Sequence, residues 1–133
     1  MSRVKVPVPG STDTTRLAQA FRLHKAGRLA EAEDAYALYL ADHPTDPAAL
    51  NNAGALALQA GRPKLAVQRF EQLAAVLPAE ATARSNLGFA LLAAGRPLNA
   101  IFHLERAIQL DPDCAQAYNS LGIALERLGR RPD

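Results

Sequence analysis

The chain has 133 residues, enough for one domain, and its apolar and charged shares (49% and 21%) are those of an ordinary folded protein rather than a disordered one. The formal net charge is only +2, and Lys/Arg alternate with Asp/Glu so that Arg130-Arg131 is the only adjacent basic pair, which argues against nucleic-acid binding. A single cysteine, Cys114, excludes an intrachain disulfide; Met1–Gly10 lacks the apolar core of a signal peptide, and nothing approaches the roughly 18 apolar residues of a membrane span, so no membrane role and a cytoplasmic location are expected.

Residues 1–12 read as a flexible arm. A first helix is expected over 14–26, ended by the Gly27-Arg28 step, since glycine accepts the positive φ of a helix C-cap. A second runs over 29–42 with Glu31 and Glu33 near its start, where the helix dipole favours acids, and Pro44 closes it. Asp46 before Pro47 is a candidate N-cap for a third helix over 47–60. Gly61-Arg62 and then Pro63 mark the next turn and the start of a helix over 63–76; Pro63 suits a first turn because no N–H is needed there. Pro78 ends that helix, and the pattern repeats with helices over 81–94 and 97–110, Gly95-Arg96 between them and Pro112 after. A last helix is expected over 114–128.

The punctuation is periodic. Gly27, Gly61, Gly95 and Gly129 stand 34 residues apart, each followed by Arg. Gly54, Gly88 and Gly122 keep the same step, as do Pro44, Pro78 and Pro112, and Ala32, Ala66 and Ala100. Four residue series sharing one period imply stacked helix pairs. The mid-helix glycines each cost roughly 1 kcal/mol against Ala. Close contact within a helix pair is the expected reason, with Ala66 and Ala100 on the facing helix and Phe70 and Leu104 filling the space beside them.

At these positions the sequence resembles the tetratricopeptide family, whose unit reads W-x2-L-G-x2-Y…A-x3-F…P. One unit here carries Leu87-Gly88, Leu91, Ala100, Leu104 and Pro112; the preceding one carries Ala53-Gly54, Ala57, Ala66, Phe70 and Pro78. The last reads Tyr118, Leu121-Gly122 and Leu125, and the first diverges, with Ala20 in the glycine slot. RNA-reading helix-pair repeats have a 35-residue period, and the 34-residue step with its Gly/Ala/Pro slots fits the tetratricopeptide pattern better. The resemblance implies an all-α, right-handed superhelical solenoid of antiparallel helix pairs over 13–133. Its units would be about 13–46, 47–80 and 81–114, with a partial one at 115–133. The chain stops where a further second helix is due, which reads as a piece of a longer protein or as an end that pairs with another copy.

The resemblance also implies that the first helix of each pair lines a concave groove for a protein or peptide ligand. The repeat phase then assigns Phe21 to it from the first unit, Asn51 and Asn52 from the second, and Ser85, Asn86 and Phe89 from the third. Asn119 and Ser120 follow from the partial unit, and the same phase places Thr14, Leu17, Ala18, Ala48, Ala55, Thr82, Gln116 and Ile123 in the groove; Phe21 and Phe89 would be groove anchors or core residues between helices. Asn52 and Asn86, with Ser120 next in the slot, would form a ladder of polar side chains able to pair with a peptide backbone, as in the arrays of O-linked N-acetylglucosamine transferases. The alternative is that the amides bridge neighbouring helices. No Lys or Arg occupies these groove positions, with Lys25 and Arg127 at the edge, so a clamp for a C-terminal carboxylate is not expected.

His24, His43 and His103 are scattered, there is no second cysteine, and GxxxxGK[ST] is absent. No metal, cofactor or catalytic constellation is therefore expected. The reading is a non-catalytic protein-interaction module. The alternatives are an acceptor-recognition array of a larger glycosyltransferase or sulfotransferase, and a self-associating scaffold that dimerises through its last helix.

Overall fold

The computed structural model describes the backbone of residues 12–129 and the side chains from Thr15 onward. Most of the expected arm over 1–12 lies outside these residues, as does the Thr14 side chain. Seven α-helices follow one another among the described residues: α1 Thr12–Lys25, α2 Leu29–Asp42, α3 Pro47–Gln59, α4 Pro63–Val76, α5 Ala81–Ala93, α6 Pro97–Leu110 and α7 Ala115–Arg127. Each packs on the next, and α3 touches α5 as α5 touches α7. This is an all-α helical-repeat solenoid, stacked as α1–α2, α3–α4, α5–α6 and α7.

The Gly-Arg steps set the turns. Gly27, Gly61, Gly95 and Gly129 have φ of 77°, 73°, 77° and 72°. At each of the first three, the arginine N–H reaches back to the carbonyl five residues earlier, as Arg28 does to Leu23 at 3.0 Å, and the glycine N–H bonds the carbonyl three back. Carbonyls in the last turns of α1, α3 and α5 are thereby satisfied, and the chain is turned into the next helix. Proline at the start of α3, α4 and α6 needs no N–H there. The Asp46 carboxylate caps α3, accepting from the Ala48 and Ala49 N–H groups at 3.1 and 3.3 Å and from the Tyr39 hydroxyl at 2.5 Å. Arg62, just past α3, is paired with Glu33 of α2, which gives that arginine and that acid a structural role.

Alanine dominates the core. Ala20, Ala32, Ala49, Ala66, Ala90, Ala100, Ala107, Ala117 and Ala124 are all fully buried, so the helices approach closely. Gly54 and Gly88 take this furthest. A Cβ on Gly54 would lie 2.6 Å from the Phe70 ring, and one on Gly88 would lie 2.5 Å from Leu104. The α4 and α6 side chains thus occupy the space the glycines leave on α3 and α5. Gly122 differs: a Cβ there would meet nothing within 4 Å among the described residues.

Candidate functional site

The α1, α3, α5 and α7 residues assigned to the groove fall into four groups. Phe21 and Asn52 line a pocket of about 640 Å³ together with His24, Lys25 and Gln59. Asn51 and Asn86 line a second, smaller one of about 260 Å³, with Ala48, Leu73, Leu77 and Thr82 among its other walls. Phe89 (43% exposed) and Asn119 face solvent. Ser85 and Ser120 do not belong with them: both are buried, Ser85 completely. Each is a small polar side chain packed inside the stack, where its slot-mates Asn51 and Asn52 are only half-buried.

The amides do connect, in a different register from the one expected. Asn86 donates to the Asn51 side-chain oxygen at 2.9 Å, and Gln116 donates to the Asn86 oxygen at 2.9 Å. The chain of amides therefore runs from α3 to α5 to α7 through Asn51, Asn86 and Gln116, not through Asn52, Asn86 and Ser120. Asn52 instead donates to the Ala48 carbonyl one turn back in its own helix, at 2.7 Å. Asn86 is thus a bridge between helices. A primary amide has two N–H groups and two lone pairs on its oxygen, so one of each remains on Asn86 for a ligand.

In the larger pocket, a hydrogen-bond chain orients His24 and Gln59. His24 sits between the Tyr36 hydroxyl, 3.3 Å from its Nδ1, and the Gln59 side-chain oxygen at its Nε2. An amide oxygen only accepts, so Nε2 carries the proton, and in the neutral ring Nδ1 accepts from Tyr36. Burial pushes the Tyr36 phenol up to about 12, which keeps that donor protonated. The Tyr36 ring also meets Phe21 edge-on, with centroids 6.0 Å apart. Lys25 lines this pocket, so it is not uncharged as the repeat phase suggested. His24 and Gln59 were missed as wall residues, although Gln59 lies one 34-residue step beyond Lys25 and the period could have paired them. Arg127, at the other end, donates to the Leu92 carbonyl at 2.8 Å and so ties α7 to α5.

Two family models match the chain: one described as tetratricopeptide repeat over residues 51–103, the other as TPR repeat over 98–129. No curated protein matches. Among solved structures, the chain is similar to MamA protein, at 27% identity and a TM-score of 0.83, covering 90% of this chain and 66% of that one. It is also similar to the O-GlcNAc transferase of Thermobaculum terrenum, at 29% identity and a TM-score of 0.72, covering 91% of this chain but 23% of the transferase. The first TPR of Spaghetti (RPAP3), solved with an HSP90 peptide, shares the fold at 21% identity and a TM-score of 0.78, covering 88% of this chain and 93% of that one.

Proposed function

This chain is a tetratricopeptide repeat protein, and from that premise we propose that it is a protein-interaction module that holds a segment of another protein along α1, α3, α5 and α7. The observation that carries this reading is the Asn51–Asn86–Gln116 chain, three amides from three successive first helices joined across the stack. Beside it, Phe21, Ala55, Phe89 and Ile123 occupy one slot at the 34-residue step, and each is at least partly open. Amides with spare donors and acceptors next to an apolar stripe suit an extended peptide: the backbone pairs with the amides and alternate side chains rest on the stripe.

The test is peptide binding to the whole chain, using a random library displayed on phage and measuring the selected peptides in solution. Replacing Asn86 and Phe89 together by Ala should weaken their binding about tenfold or more, since a buried contact and a hydrogen bond are both lost. Circular dichroism would confirm that the variant keeps its helices. Peptides that bind the double variant as well as they bind the wild type would move the site to another face.

A second reading, self-association, is favoured by the open space at Gly122 and the half-exposed Tyr118 on α7. The similarity to the glycosyltransferase lends itself to an acceptor-recognition role in a larger enzyme, but it spans 23% of that chain and carries no transferase chemistry to this one.

A further inference from the structure

The pocket between α1 and α3 has an uneven supply of hydrogen-bonding groups. Gln59 spends its oxygen on His24, and among the described residues its side-chain nitrogen has no partner. That leaves two N–H donors turned away from the histidine. Lys25 adds an ammonium with three donors and forms no ion pair among the described residues. Asn52 has spent one N–H on Ala48 and keeps the other with its oxygen. His24 offers nothing further, because both ring nitrogens are engaged. No acid lines the pocket, and its apolar wall is the half-buried Phe21 ring.

A site with this balance of groups is rich in donors, its one free side-chain acceptor among the lining residues being the Asn52 oxygen, and it carries one positive charge. We propose that it is a specificity pocket for the side-chain carboxylate of a glutamate within the bound segment, with Lys25 and Gln59 donating to the carboxylate and Phe21 packing on its aliphatic stem. One ammonium balances one carboxylate, and a charge-assisted bond is about twice as strong as a neutral one. The ring against the stem favours Glu over the shorter Asp. The pocket sits at the last turns of α1 and α3, where Lys25 and Gln59 share one slot of the repeat. The proposal rests on the groove reading above and adds to it the chemistry of one ligand residue.

Peptides displayed at the N-terminus of a phage coat protein have no free C-terminus, so any carboxylate selected belongs to a side chain. Selection against the whole chain should enrich peptides that carry Glu. In solution, with amidated C-termini, changing that Glu to Gln should weaken binding about tenfold, the scale of one charged hydrogen bond. The Lys25→Gln variant should bind the Glu and Gln peptides nearly equally, and Gln59→Leu should lose part of the discrimination. A free C-terminal carboxylate on the Gln peptide should not restore affinity; if it does, the pocket takes a chain end and the proposal is wrong. Peptides that lose binding with the Asn86/Phe89 variant yet show no preference for Glu would overturn this pocket assignment and leave the groove standing. Peptides indifferent to both sets of variants would overturn the groove itself.

Discussion

The Ser85 hydroxyl is sealed within the packing around α5, and its oxygen has no hydrogen-bond partner among the described residues. A buried hydroxyl without a partner is a net cost to folding, of about 1–3 kcal/mol. Ser85→Ala should therefore stabilise the chain by about 1 kcal/mol, with a few tenths more from the better helix propensity of alanine. Urea denaturation checks this: the midpoint should rise with the slope unchanged. A lower midpoint would mean that the hydroxyl is satisfied in solution. Ser85 also shows what the sequence leaves open at this scale. Its polarity and its slot, shared with Asn51 and Asn119, both pointed outward, yet a residue so small is swallowed by the close helix packing. Asn86 was found from its type and period, but its partners were not, because a slot in the repeat says nothing about reach. The side chains that meet are Asn51, Asn86 and Gln116, from three different slots. His24 carried no signal at all, because its role depends on Tyr36, twelve residues on, and on Gln59 in the next pair.

Helix boundaries were the most legible feature, and for physical reasons. Proline at the first turn and glycine at positive φ act on the backbone itself, so α2, α4 and α6 run over the same residues that the punctuation marks. At α1 the expected end at residue 26 is one too late, since Ala26 is already the residue between the helix and Gly27. The mid-helix glycines share one period, but the space around them differs from element to element. Gly88→Ala drives a methyl into Leu104, and such overpacking costs about 1–3 kcal/mol, more than the roughly 1 kcal/mol that alanine returns in propensity. Gly54→Ala meets the Phe70 ring in the same way. Gly122→Ala meets nothing and should raise stability by up to about 1 kcal/mol. Thermal melts of the three variants against the wild type decide it: two should melt lower and one higher. A Gly122→Ala variant that melts as low as Gly88→Ala would show that something fills that space in solution.

At the scale of the whole molecule, that space belongs to the face of α7 left uncovered among the described residues. Leu50 of α3 is fully buried and Arg84 of α5 leans on His103 of α6. Tyr118, in the same slot of α7, is 51% exposed, and Leu121 and Leu125 are only half-buried beside it. A second copy packing there would cover this face. The contact would be small, because a 13-residue helix is roughly 20 Å long and a stable dimer buries about 800 Å² per partner. The association should therefore be weak, monomeric in the micromolar range and increasingly dimeric toward millimolar concentration, as read by sedimentation equilibrium. Tyr118→Lys with Leu125→Glu places charges on the face without touching the fully buried core, and should leave a monomer throughout. A wild type that stays monomeric at every concentration would end the dimer reading. Association that survives in the charged variant would relocate the contact, and α6 offers the other surface. Its Leu98 and Phe102 are 61% and 67% exposed, while Lys64 and Gln68 fill the same slots on α4, where the following helix pair is in place and both remain exposed. That patch is apolar by its own sequence and not because a neighbour is missing, so charges placed on α7 would leave it intact.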